Sequence, residues 1–152
     1  MTTMTKKRVA DLEGAQLDWA VAMAGEEWKT AHKHFLTMTL DPSFGGVTIG
    51  EIGYRDNRLV CILLPNNPMR QDRQEFSPST NWEHGGQIVE REVRILEKRD
   101  GTAFYNGEEV SGVRWLATCK PGTFTFMGRT PLIAAMRAFV ASKLGDEVEV
   151  PE

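Results

Sequence analysis

Two short segments concentrate hydroxyls, amides, glycines and cations: Phe76-Ser77-Pro78-Ser79-Thr80-Asn81-Trp82-Glu83-His84-Gly85-Gly86 and Gly128-Arg129-Thr130-Pro131-Leu132-Ile133. In the first, Ser77, Ser79, Thr80 and Asn81 supply short donors and acceptors and Trp82 a stacking face. Gly85-Gly86 gives a backbone that a ligand can approach before the following element starts. In the second, Arg129 and Thr130 stand at the mouth of a predicted helix, where unpaired N–H groups and the helix dipole favour an anion. Arg91, in the run Glu90-Arg91-Glu92, adds a further cation. These are the parts of a nucleotide or phosphate site, and the reading requires the two segments to meet in the fold. The competing reading is architectural: Thr130 as a cap, the Ser/Thr loop as a stable turn, Trp82 as a cover for the core. The residues alone leave both open.

Other chemistries are poorly supplied. His32 and His34 share a face if that stretch is a strand, but no nearby Cys or carboxylate completes a metal-ligand set, and His84 is far away in sequence. Ser77 or Ser79 with His84 lacks the tight Gly-x-Ser-x-Gly turn of a nucleophile elbow. Gly45, Gly46 and Gly50 fit neither the dinucleotide nor the P-loop spacing. Glu90 and Glu92, interleaved with Arg91 and Arg94, read as a charge-compensated face rather than an acid/base pair. The expectation is a non-enzymatic protein with no catalytic residues, no metal and no cofactor, binding a small anionic ligand such as a nucleotide. The alternative is a protein-interaction module using the Trp82 loop against a replication, recombination or defence factor. A hydrolase or transferase comes third.

The formal net charge of −3 and pI near 5.7 argue against general duplex-DNA binding, which neutralises many phosphates. A local basic pocket remains compatible, since eleven of the eighteen basic residues are arginine, whose planar fork suits phosphate and carboxylate. No stretch approaches the roughly 20 apolar residues that span a bilayer, so no membrane partner and a cytoplasmic location are expected. Cys61 and Cys119 are expected as separate reduced thiols. A homo-oligomer is compatible with all of this.

The elements that must position these residues follow from periodicity and punctuation. Residues 1–9 read as a polar, frayed leader. Residues 11–24 carry Leu17, Ala20, Val21 and Ala24 at helical spacing with Gly25 as the stop, and Gly14 leaves the start at 11 or at Ala15. Residues 41–46 signal a loop. The apolar run at 59–64, closed by Pro65, predicts a buried central strand from Arg58 to Leu64. Residues 87–96 predict a short helical turn through Arg91 and a strand from Val93, followed by an Asp100-Gly101 turn. A further strand is predicted at 113–118. The firmest element is a helix over 132–144, with Thr130 as N-cap, Pro131 in its first turn, Lys143 in the last and Gly145 beyond. Its apolar stripe is Leu132, Ile133, Met136, Phe139, Val140 and Leu144. Residues 146–152 form an acidic, extended tail. The sum is one compact α+β domain: a small, mostly antiparallel sheet packed by a long C-terminal helix and an N-terminal helix.

Three ordered stretches resemble NinX-like phage proteins. The first is Leu12-Glu13-Gly14-Ala15-Gln16-Leu17-Asp18-Trp19-Ala20-Val21-Ala22. The second joins residues 76–82 to His84-Gly85-Gly86-Gln87-Ile88-Val89-Glu90-Arg91-Glu92, and the third runs from Thr130-Pro131-Leu132-Ile133 to Gly145-Asp146-Glu147. The chain departs from the family pattern at Phe76 for Tyr, Asn81 for Asp and Gln87 for Pro, and is longer around 99–112. Loss of that hydroxyl and carboxylate weakens any mechanism needing them as acid or base. The resemblance implies a phage or prophage accessory protein in a bacterial cytoplasm, and implies no reaction.

Overall fold

The computed structural model describes residues 4–25, 38–39, 61–65, 74–105, 107–119 and 124–151. The stretch read as a frayed leader is, from Met4 on, a strand, β1 (Met4–Arg8). It runs antiparallel to Glu147–Pro151, from Met4 opposite Pro151 to Arg8 opposite Glu147. The acidic tail is therefore a strand as well. Val148 and Val150 are buried while Glu147 and Glu149 face water, a two-residue alternation masked in the sequence by its charge. Lys6 lies opposite Glu149 and bonds Glu147 at 3.3 Å.

A 3-10 turn (Val9–Asp11) leads into helix α1 (Gly14–Gly25), entered through Gly14 at φ +59°. The regular helix thus begins three residues later than the first of the two starts expected. Its residues 17–22 are all buried, Asp18 among them. Strands β2 (Met38–Thr39), β3 (Ile62–Pro65) and β4 (Gln74–Glu75) form an antiparallel sheet with β3 in the middle, as expected of the apolar run. The expected residues 58–60, the 41–46 loop, His32 and His34 lie outside the described residues.

Helix α2 (Trp82–Glu92) corrects the expectation of a loop through Gly86 followed by a short helical turn. Paired glycines normally argue against a helix, but here the Asn81 side chain accepts from Glu83 N–H at 2.8 Å and starts the helix ahead of them. Strand β5 (Ile95–Arg99) then begins two residues later than expected. Strands β6 (Ala103–Tyr105) and β7 (Glu108–Val110) pair with Tyr105 opposite Glu108, and Gly107, at φ +84°, lies in the connection between them. Asp100-Gly101 is also a turn, its Asp100 carboxylate accepting from Gly101 N–H at 2.7 Å, but the strands flanking it do not pair with each other. Strand β8 (Arg114–Thr118) is the centre of a β5-β8-β9 sheet, β9 being Phe126–Gly128. At the root of the β6–β7 ribbon, buried Arg114 donates Nη1 to both Gly101 O and Gly112 O at 2.8 Å.

Helix α3 (Pro131–Leu144) has the ends that the sequence dictates. Thr130 Oγ1 accepts from Ile133 N–H at 3.1 Å, and Gly145 at φ +92° takes the C-terminal position with its N–H on Ala141 O. Leu132, Ile133, Met136, Phe139 and Val140 are buried, but so are Ala134, Ala135 and Ala138, whereas Leu144 is exposed. Burial runs around most of the helix rather than along one stripe, because α1 and α2 pack on it as well as β8 and β9. Gly128 lets β9 approach: a Cβ there would lie 2.5 Å from Ala134 N and 2.9 Å from Ile133 Cγ2. The remaining strand, β10, is the Glu147–Pro151 tail. The whole is a mixed α+β fold of antiparallel sheets and helices.

Candidate ligand-binding site

The segment before α2 uses its polarity inward. Ser77 and Ser79 are both buried. Ser77 N–H donates to His84 Nδ1 at 2.9 Å, Ser77 O accepts from Asn81 N–H at 2.8 Å, and Ser79 N–H donates to Asp18 Oδ1 at 2.8 Å. Phe76 stacks on the His84 ring, centroids 5.9 Å apart. With Nδ1 accepting, the neutral imidazole carries its proton on Nε2, so His84 offers Ser77 no lone pair as a general base. Ser79 Oγ is buried with no hydrogen-bond partner among the described residues.

Gly85 and Gly86 lie inside α2 rather than ahead of an element. A Cβ on Gly85 would collide with Pro78 O and come within 2.8 Å of Leu132 Cδ2, so this glycine lets α2 pack on the first turn of α3. A Cβ on Gly86 would meet the Trp82 indole at 3.8 Å, an ordinary van der Waals contact, so this position does not require glycine for space. Trp82 is 53% exposed and does not cover the core. Thr80 is exposed, and Asn81 serves as the cap. Arg91 lies in the last turn of α2, about 13 Å along the axis from Trp82 at 1.5 Å per residue, paired with Glu92 at 3.4 Å.

The two motif segments approach each other through Gly85 and Leu132. Arg129 is committed to Glu13, Nη1 to Oε2 at 2.6 Å, a pair 71% exposed on the arginine side that contributes under about 1 kcal/mol. Asp18, only 3% exposed, was absent from the sequence candidates. Its signal was available: an acid inside the apolar stretch Leu17-Asp18-Trp19-Ala20 costs too much to bury without a dedicated donor. Cys61 lies close enough that Asp18 adds to the upward push that complete burial gives its thiol.

A cavity of about 460 Å³ opens elsewhere, between the β1–β10 ribbon and the β9–α3 junction. Phe124, Phe126 and Met127 make its apolar wall, and Arg8, Arg137, Asp146 and Glu147 its charged rim. Arg137 is held by Leu12 O, accepting from Nε at 2.9 Å, and Met127 O, accepting from Nη1 at 2.7 Å. That uses two of the five N–H donors of a guanidinium. Among the described residues no carboxylate lies within 4 Å of it. Partial burial lowers its pKa, opposed by Glu13 and Asp11, which leaves a half-buried cation without a counter-ion at contact. Arg8 instead is forked onto Asp11, at 2.9 and 3.4 Å, and that hydrogen-bonded partner raises its pKa. None of these cavity residues was among the sequence candidates, since Arg8 and Asp146 fell in the supposed leader and tail. An arginine between Met136 and Ala138 in a buried helix was the legible clue.

Fold and sites together define a small α+β protein whose polar motif residues cap and anchor helices around a central one. No helix among the described residues is long and apolar enough to cross a membrane, and no group of three metal-ligating side chains occurs among them. The family model for NinX of bacteriophage P22 matches residues 8–143, and the chain belongs to that family. The matched span holds both motif segments, Arg8 and Arg137, while Asp146 lies just beyond it. No curated protein matches the chain.

Proposed function

We propose that this phage-family protein is a non-enzymatic binder of a small phosphate-bearing ligand such as a nucleotide, held in the cavity beside Arg137. The observation that carries the reading is the half-buried Arg137 guanidinium, positioned by two carbonyls, with N–H donors left over and no carboxylate at contact among the described residues. An anionic oxygen satisfies it, and the adjoining phenylalanine rings suit a flat base. A binding role rather than catalysis is supported by the burial of Ser77 and Ser79 and by the occupied Nδ1 of His84. Calorimetric titration against mono-, di- and cyclic nucleotides tests it. Arg137→Lys, which keeps the charge but loses the fork, should weaken binding at least about tenfold, or about 1.4 kcal/mol. If Arg129→Ala and Trp82→Ala lose affinity while Arg137→Lys does not, the ligand sits at the mouth of α3 instead. No binding across the panel removes the nucleotide reading.

The exposed Trp82 indole beside Gly86 favours a second reading, a contact for a protein partner acting in replication, recombination or defence. Retention of such a partner by the wild type and its loss in Trp82→Ala would establish that reading.

A further inference from the structure

The charged groups on the cavity differ in what they are already doing. Arg8 is forked onto Asp11, and Glu147 is paired with Lys6 at 3.3 Å. Two groups are left uncommitted: the remaining N–H donors of Arg137 and the carboxylate of Asp146, which makes no ion pair or hydrogen bond among the described residues. Asp146 is nevertheless well placed by its main chain. Its carbonyl accepts from Val9 N–H at 2.8 Å, and Gly145 before it is bonded back to Ala141 O at 3.0 Å. Phe124 and Phe126 line the same cavity as Arg137 and Asp146.

A ligand complementary to this set is flat in its middle, anionic at one end and a double hydrogen-bond donor at the other. Resting on the nucleotide reading above, we infer that the cavity selects guanine mononucleotides, with phosphate on Arg137 and the base edge on Asp146. Guanine presents N1–H and the N2 amine side by side, and a carboxylate accepts both at once. Adenine turns a bare N1 lone pair toward the same carboxylate, and uracil offers a single N–H between two carbonyl oxygens. A site built to accept two hydrogen bonds rejects bases that leave its carboxylate unpaired or repelled. One uncommitted guanidinium matches a single phosphate group.

The test is titration of the wild type with the 5′-monophosphates of guanosine, adenosine, uridine and xanthosine, repeated with Asp146→Asn. The wild type should bind guanosine monophosphate at least about tenfold more tightly than the others. In Asp146→Asn the order should reverse toward xanthosine monophosphate, because the new amide donates to the xanthine C2 carbonyl while its oxygen still accepts N1–H. Asp146 is exposed and holds Val9 through its main chain, so the variant should keep the wild-type melting temperature. Phe124→Ala, removing a ring that is 66% exposed, should weaken all four ligands alike. Equal binding of guanine and adenine nucleotides, or an unchanged order in Asp146→Asn, overturns the selectivity and leaves the nucleotide reading standing. No binding of any nucleotide overturns both.

Discussion

Residues 77–86 and the cavity beside Arg137 are both polar, but they differ in where their hydrogen bonds go. In the first, backbone donors and acceptors close on His84, Asn81 and Asp18, and the glycine between them packs against Leu132. In the second, a guanidinium fixed by two carbonyls keeps donors in reserve in the same cavity as a carboxylate that has no partner among the described residues. A dense cluster of hydroxyls and amides in a sequence therefore identifies a demand for hydrogen bonds, and the fold decides whether the protein itself meets it. Here the richer segment holds two helices together, and the sparser one has capacity left for something else.

The sharpest way to break this contrast is Gly85→Val. The new side chain collides with Pro78 O and Leu132, so the variant should lose about 3 kcal/mol or more in urea denaturation. An unchanged midpoint would show that α2 does not depend on that close approach. Asp18→Ala comes next: it strands the buried Ser79 N–H and should cost about 1–3 kcal/mol, with Asp18→Asn milder because an acceptor oxygen remains. Equal losses in the two variants would mean that charge, rather than the acceptor, is what Ser79 requires. The smallest effect is expected from Trp82→Ala, under about 0.5 kcal/mol in stability, since the indole is half exposed. In all of these variants that fold, nucleotide affinity at the cavity should match the wild type. A folded Asp18→Ala protein with abolished binding would join the two regions into one site.

Local signals were legible and distant ones were not. Thr130, Pro131 and Gly145 act within one helical turn, and their roles followed from residue type and position. The antiparallel α+β character and the central placement of the 62–65 strand were equally accessible, because an unbroken apolar run needs neighbours on both sides. The start of α2 was missed because Gly85 and Gly86 weigh against a helix locally, while the reason for Gly85 is Leu132, far along the chain. Ser79 meets Asp18 across 61 residues and Arg137 meets Leu12 across 125, pairings that no periodicity encodes. The terminal ribbon was hidden differently: net charge drew attention away from Val148 and Val150, whose alternation was in plain view.

Buried Arg114 has a consequence for how this protein tolerates change. One guanidinium nitrogen ties Gly101 O to Gly112 O, so the chain leaves the β5-β8-β9 sheet and returns to it through a gate fixed from the sheet side. Whatever is strung between those two glycines bears little on the register of Ile95 against Thr118 or Arg99 against Arg114. The ribbon is thus a natural port for grafting: a foreign loop, an epitope or a fluorophore-bearing cysteine could replace residues 102–111 while the scaffold beneath stays as it is.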